Sequence, residues 1–508
     1  MGLLAFAVAL AAPIWTWTSD GSPLRIGLRV PREAVADGLA LRGEGQLQWR
    51  PLPVRGHSDD RTADSGGRDE VWIELAILAP RGRVQVVAGG RGPDLDGRGA
   101  AFVLRREQRR VAHGLEQTTR WEWCDGTVDE RCRVTFTAAT EIAGERFEAG
   151  EGWTRQSPGL ATRARWWQRR GRAEAERCGL LPVRGRGGGT TARLRRHLGE
   201  VVDALVEMPG ARGAGDFRRA DGEVTNLEFD TAFALLRCAV ALQHARAFAL
   251  AQRCAAQLRD RDLDLRSGLP FVHGVDHRTG VVETGHVWLR GLLWVGLLTA
   301  DDDALVAARA LGRSLAVNLP QGTGRNERLR SYAWPLAELE ALLRVTDEPI
   351  AARAADRLAA AIALRYDPSA CTWRFGEGRQ RDGSHFERAW LTAGLLLPAL
   401  RAHHARRPAE PLRDQIDAAS KRLANEVGRG VRGLPTHYRL RRGRSFAHHF
   451  ERGTVCSTWL LEAFDARRQR QLLGRAAVRR ATTALPALDD PDLPTTFTML
   501  ARCDWPWH

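Results

Sequence analysis

The feature that most constrains this chain is a change of hydrophobic period near residue 210. Before it, apolar residues alternate in short runs at 24–30, 39–42, 46–52, 71–78, 84–88, 101–104, 119–123 and 133–137, broken by Gly, Pro and Asp-Gly. A period of two sends successive side chains to opposite faces of a strand, so this half reads as an all-β barrel or sandwich. After it, apolar residues recur at three and four, which lines them along one face of a helix. The helical runs come in pairs: 229–242 with 245–258, 287–298 with 304–315, 333–342 with 350–362, and 389–400 with 412–427. A fifth pair is expected at 454–481. Turns within a pair are short, as in Thr299-Ala-Asp-Asp-Asp303 and Thr346-Asp-Glu-Pro349, whereas 260–285, 318–332, 366–388 and 429–453 are long loops between pairs. This alternation predicts an α/α toroid of the six-hairpin type with its long loops gathered at one mouth, where a site would be built. The expected divisions are a signal-like or first-strand segment at 1–20, a β-rich region at 21–210, the toroid at 211–482 and a tail at 483–508.

Composition narrows the function. With 508 residues, 44% hydrophobic and 27% charged, the chain can bury a large core and is not a disordered polymer. A formal charge of +15 would suggest nucleic acid. The basic residues, however, are almost all Arg (Lys421 is the only lysine) and lie scattered among Asp and Glu instead of forming a stripe. No nucleic-acid partner is therefore expected. No run of 18 or more apolar residues is present, so no membrane-spanning helix is expected. The apolar opening ends in Ala9-Leu10-Ala11, which fits a cleavage site and predicts a secreted or periplasmic protein; the same stretch also reads as a first strand. The eight cysteines make no C-x-x-C and no zinc spacing, so no metal centre is expected, and Cys238 and Cys254 read as core residues of helices.

Several motifs, in order, resemble those of the exo-rhamnogalacturonan lyase family. They are Thr225-Asn-Leu-Glu-Phe-Asp230, Arg261-Asp-Leu-Asp264, Phe271-Val-His-Gly-Val-Asp-His277, Gly285-His-Val-Trp-Leu-Arg-Gly-Leu292, Thr299-Ala-Asp-Asp-Asp303 and Ser331-Tyr-Ala-Trp-Pro-Leu336. Upstream, Ile26-Gly-Leu-Arg-Val-Pro-Arg-Glu-Ala34 and Trp166-Trp-Gln168 resemble elements of that family's N-terminal barrel-like domain. The resemblance implies a β domain ahead of an α/α toroid, and β-elimination on a uronate-containing, pectin-like polysaccharide at the toroid mouth. The chain departs from the pattern at several polar positions. Leu265 and Arg266 stand where the family has a His, Arg290 where it has an acid, and Thr225 and Phe229 where it has Asn and Tyr.

Elimination needs a base for the proton α to the uronate carboxylate and a cation for the developing enolate. The candidate bases are His286, Tyr332, His273 and His277. The candidate substrate contacts are Asn226, Glu228, Trp288, Arg330, Trp334, His385, Glu387 and Arg388, with Arg330 pairing a carboxylate and Trp288 or Trp334 stacking on a sugar ring. His273 and His277 have the spacing of a helical metal pair, but Pro270 and Gly274 mark a loop, so a sugar-facing role is preferred. Asp262 and Asp264 read either as turn caps or, with backbone carbonyls, as ligands of a calcium ion, the one cofactor suggested. Hydrolysis would instead use two carboxylates, drawn from Glu228, Asp230, Asp262, Asp264, Glu283 and Glu387. Three readings follow: a lyase on acidic polysaccharide, a glycoside hydrolase or epimerase on the same toroid, and a glycan-binding protein without catalysis. A polysaccharide or oligosaccharide is the expected partner in each.

Overall fold

The alternating half forms antiparallel strands and the period-3.6 half forms helices. A computed structural model describes residues 13–19, 24–36, 38–42, 44–52, 70–79, 81–89, 102–123, 128–142, 145–147, 149, 152–156, 175, 180–181, 192–208, 217–218, 224–225, 229–264, 266–272, 281–320, 328–376, 385–429, 434–441, 444–451, 459, 497–498 and 500–501. The chain divides into two compact units. One holds Met1–Arg169, Arg259–Arg261 and Leu293–Val306; the other holds Arg170–Leu258, Asp262–Leu292 and Ala307–His508.

The first unit contains β1 (Pro13–Ser19), β2 (Leu24–Pro31), β3 (Leu39–Arg42), β4 (Gln46–Pro51), β5 (Glu70–Leu78), β6 (Gly82–Ala88), β7 (Phe102–Val111), β8 (Gly114–Trp123), β9 (Val128–Phe136), β10 (Thr140–Ile142), β11 (Glu145–Phe147) and β12 (Gly152–Gln156). They pair antiparallel as β1-β6-β3, β2-β5-β4, β12-β9-β8-β7 and the hairpin β10-β11. In the central strand β5, Ile73, Leu75 and Ile77 are fully buried, and Trp72 and Ala76 on its other face are buried too. Both faces are covered, which is why this run shows little polar alternation. The turn between β7 and β8 needs Gly114, since a Cβ there would fall 2.1 Å from the Thr135 carbonyl oxygen.

The same unit encloses a compensated charge network. The Arg131 guanidinium pairs with Asp301 and lies 2.6 Å from Asp303. Arg259 donates from Nε and Nη2 to Asp260, both at 2.7 Å, and Arg133 Nε stands 3.1 Å from Asp260. Asp301 Oδ1 also accepts the backbone N–H of Asp303 (3.0 Å) and Ala304 (3.2 Å), capping the following helix. The Thr299–Asp303 turn is thus an N-cap and an ion-pair anchor.

Among the described residues the strands of the first unit run to Gln156, and Ala192–Glu207 is a helix whose apolar stripe, Leu194, Leu198, Val201, Val202 and Leu205, is fully buried. Residues 1–12, Trp166-Trp-Gln168, the expected fifth helical pair and most of the tail lie outside the described residues.

We label the helices α1 (Ala192–Glu207), α2 (Thr231–Leu242), α3 (Ala245–Asp260), α4 (Arg290–Thr299), α5 (Asp302–Val317), α6 (Leu329–Leu343), α7 (Pro349–Ala363), α8 (Leu397–Arg406) and α9 (Glu410–Arg429). From α2 on they alternate short turns with long connections, the order of a paired-helix α/α architecture. Cys238 and Cys254 are fully buried in α2 and α3. Two of the expected long loops contain strands. β13 (His385–Arg388), β14 (Leu434–Arg441) and β15 (Arg444–Glu451) form one antiparallel sheet in that order. Alternation there is hidden because Arg and His occupy positions that an amphipathic strand would fill with Val or Ile.

Candidate functional site

Helix α6 forms a spine along which residues 284–290 are pinned. Pro335 has no N–H, so the Ser331 carbonyl one turn earlier has no intrahelical donor. Thr284 Oγ1 donates to that carbonyl at 3.4 Å. Beside it, Arg330 Nε donates to the Gly285 carbonyl at 3.4 Å. Farther along α6, fully buried Glu338 accepts the backbone N–H of Leu289 and Arg290, both at 3.1 Å, and Asp230 accepts that of Gly291 at 3.0 Å. Two carboxylates thereby satisfy the leading donors of α4 and complement its dipole. Gly291 is required, because a Cβ would come 2.5 Å from both Asp230 Oδ1 and the Ala232 methyl.

This pinning places His286 between a carboxylate and a guanidinium. Arg330 Nη2 lies 2.8 Å from His286 Nε2. A guanidinium can only donate, so Nε2 is the acceptor and the proton of the neutral ring sits on Nδ1. Nδ1 lies 3.2 Å from Glu283 Oε2, and Glu283 Oε1 lies 3.6 Å from Arg328. His286 is only 4% exposed, but the Glu283 and Arg328 side chains are 34% and 53% exposed, so the cluster reaches solvent along that edge. His286 lies in the single helical turn Thr284–His286, and α4 begins at Arg290, later than its sequence implied.

Tyr332 is elsewhere on the first turn of α6. Its hydroxyl accepts from Arg365 Nη2 at 3.1 Å, the Arg365 guanidinium carbon stands 4.6 Å from its ring centroid, and Phe375 packs 5.6 Å away. Tyr332 borders a cavity of about 880 Å³, with Leu319, Pro320, Ile350, Arg353 and Arg357 among the other walls.

Other expected contacts are corrected by their surroundings. Trp334 is fully buried and Trp288 is 3% exposed. Their rings meet edge to face at 4.7 Å, with Phe229 at 5.9 Å from Trp288 and 6.0 Å from Trp334. Both indoles therefore fill the core and offer no open face to a sugar. The same packing holds the end of the Thr225–Asp230 motif in a costly backbone. Phe229 (φ 59°) and Asp230 (φ 64°) are both left-handed, and Asp230 Oδ1 accepts the Phe233 N–H at 3.1 Å to cap α2. His385 is buried on β13, and that burial lowers its pKa, favouring the neutral ring. Glu387 is 2% exposed and accepts Thr372 Oγ1 at 2.5 Å and Arg422 Nη2 at 2.6 Å, which makes it a buried strut. Arg388 is exposed at the end of the same strand.

Asn226, Glu228, His273 and His277 lie outside the described residues. Asp264 takes the turn-capping role: Ser267 donates to Asp264 Oδ2 from N (2.9 Å) and Oγ (2.7 Å). Asp262 is buried, with Gln257 Nε2 at 3.4 Å. Among the described residues no group of three or more His, Cys, Asp or Glu is arranged to hold a metal ion. Glu338 and Arg365 were not anticipated. Glu338 had a signal, an acid inside the otherwise apolar run of α6, whereas Arg365 had none.

The described elements define a chain with an antiparallel β region followed by paired helices. No family model matches it, and no curated protein matches it. Among solved structures the chain is similar to a cellobiose 2-epimerase from Bacillus thermoamylovorans B4167, at 11% identity and a TM-score of 0.41, covering 57% of this chain and 86% of that one. It is also similar to a family 76 glycoside hydrolase from a bovine Bacteroides thetaiotaomicron strain, at 8% identity and a TM-score of 0.43, covering 97% of this chain and 98% of that one.

Proposed function

We propose that this protein is a carbohydrate-active enzyme that cleaves a uronate-containing saccharide by β-elimination, with its helical pairs arranged as an α/α toroid. The observation that carries the reading is His286, its Nδ1 beside Glu283 and its Nε2 facing Arg330. Glu283 places a counter-charge beside the imidazole, while Arg330 is the partner for the uronate carboxylate. In the step proposed, His286 Nε2 takes the proton α to the carboxylate and the C–H electron pair becomes the C=C bond. The β C–O bond then breaks with its pair on the leaving sugar oxygen, and the imidazolium returns a proton to that oxygen. Tyr332 and the cavity it borders are assigned to sugar binding.

Hydrolysis is the less favoured chemistry. Of its candidate acids, Asp230 caps α2 and binds Gly291, Asp264 closes a turn, and Glu387 is tied to Thr372 and Arg422. Glu283 stands beside His286 at the solvent-facing edge of the cluster. Export is proposed as well, on the apolar opening and Ala9-Leu10-Ala11; cleavage after Ala11 would leave β1 whole. Sequencing the N-terminus of the exported protein tests this, and a cytoplasmic protein retaining residues 1–12 would refute it.

Incubating the purified protein with a panel of uronate-containing polysaccharides tests the activity. Unsaturated, ultraviolet-absorbing products are expected. Reducing ends without absorbance would move the reading to hydrolysis, and binding without either product would leave a glycan-binding protein.

A further inference from the structure

We propose that Arg353 and Arg357 make the cavity beside Tyr332 a second acidic-sugar site, which holds a uronate other than the one placed at His286. This deepens the proposed reading of the protein and rests on it. The cavity's volume of about 880 Å³ falls in the range of pockets that take small ligands. Its cations come from one helix. Arg353 and Arg357 are four residues apart on α7, so they rise from the same face one turn apart, and both line the cavity. Like charges at that spacing repel, and an anion lying between them relieves the repulsion. Asp356, the acid among the described wall residues, is already engaged: Arg406 Nη2 donates to Oδ1 at 2.7 Å and Arg407 Nη2 to Oδ2 at 3.4 Å. Arg353 makes no hydrogen bond or ion pair among the described residues. Arg357 gives one long bond from Nη2 to the Ala316 carbonyl at 3.4 Å, which rests it against the end of α5 and leaves its other nitrogens for a ligand. The remaining walls suit the body of a sugar. Val317, Leu319, Pro320 and Ile350 present aliphatic surface, and Val317 and Ile350 are 69% and 42% exposed. A pyranuronate matches both features, with a C–H face for the apolar side and a carboxylate for the guanidinium forks. A neutral sugar gains the apolar part alone. The first turn of α6 carries both Arg330 and Tyr332, which brings the two sites to the same end of that helix. An oligouronate is thereby gripped at both, whereas a single uronate fills one at a time.

The test is calorimetry on the full chain with three probes: tetragalacturonate, galacturonate and neutral galactotetraose. The parent should bind tetragalacturonate more tightly than either of the others, and added salt should weaken that binding. The double variant Arg353→Gln with Arg357→Gln should lose about 10-fold in tetragalacturonate affinity and most of the salt dependence. Its affinity for galactotetraose should not change. Both side chains are exposed, so the thermal midpoint should stay at the parent's value. Arg353→Lys with Arg357→Lys keeps both cations and should retain part of the affinity, which guards against a folding defect in the glutamine variant. A folded glutamine variant that binds tetragalacturonate as tightly as the parent would overturn the second site and leave the substrate reading standing. An equal loss for galactotetraose would overturn it too, because the two residues would then act through shape and not charge. A parent that binds no tetragalacturonate would overturn the substrate reading and the second site with it.

Discussion

Two clusters of buried charge in this protein are built on opposite principles. In the β unit, Arg131 and Arg259 are each set against aspartates, and Asp301 is tied at once to Arg131 and to the backbone of its own turn. Arg131, Arg259, Asp260 and Asp301 are all buried, and Asp303 closes the network at its partly exposed edge. In the helical unit, His286 stands between a partly exposed acid and an arginine. A closed network of fixed charges holds structure together, while an open one built around an imidazole can do chemistry. Both motifs belong to the set that carries the family resemblance. The Thr299–Asp303 turn proved to be an anchor, and Gly285–His286 proved to be the open cluster.

The comparison can be broken most strongly at Asp301. Replacing it with Ala removes one of the two aspartates that neutralise buried Arg131, together with the cap of α5, and should cost about 3–5 kcal/mol in urea unfolding. His286→Ala should cost less, about 1–2 kcal/mol, since it removes a buried ring and one hydrogen-bond partner but no fixed charge. Equal losses would erase the distinction. Trp334→Ala should also cost about 3–5 kcal/mol, because the ring is fully buried among Trp288, Phe229 and Trp459. A stable Trp334→Ala protein that merely binds sugar poorly would restore the stacking role expected from the sequence.

A smaller effect sharpens the contrast through pH. Burial alone would push the Asp301 carboxyl up, but Arg131 and Arg259 overcome it and hold the group well below the usual carboxylate range. Since the unfolded state takes up a proton first, this group adds stability above about pH 4 and loses it as pH falls further. Acid titration of unfolding should therefore show a weaker decline below pH 4 in Asp301→Asn than in the parent. The smallest effect is expected at Arg105, whose pair with Glu122 is mostly exposed: Arg105→Ala should shift stability by less than about 1 kcal/mol.

Much of the fold was legible, and the reasons lie in particular residues. Strands such as β2 and β3 follow the runs at 24–30 and 39–42 closely, and the first three helical pairs fall where their apolar stripes place them, while the expected helix at 389–400 is broken by a π-helical turn at Thr392–Leu396 before α8. The periods fail where composition masks them. β14 and β15 carry Arg and His in place of β-branched residues and read as loop, and α1 hides its stripe behind Arg-rich flanks. At the site, His286 and Arg330 were legible as chemistry-bearing residues, and Glu283 appeared as a candidate acid. What sequence could not supply was depth. A Trp beside a His suits a sugar platform and a core equally well, and only packing against Phe229 decides for Trp288 and Trp334. Nor could spacing reveal that Pro335 opens the Ser331 carbonyl to Thr284, the contact that sets His286 against Arg330.

The central claim is that the open cluster is the chemical one, and the most direct measurement compares the parent with His286→Ala on a uronate polysaccharide that the parent cleaves. Initial rates are followed by ultraviolet absorbance, with circular dichroism to establish that both proteins are folded. The account predicts a folded variant whose rate falls by ~10²–10⁴. A folded His286→Ala protein that releases unsaturated product at the parent's rate would contradict it.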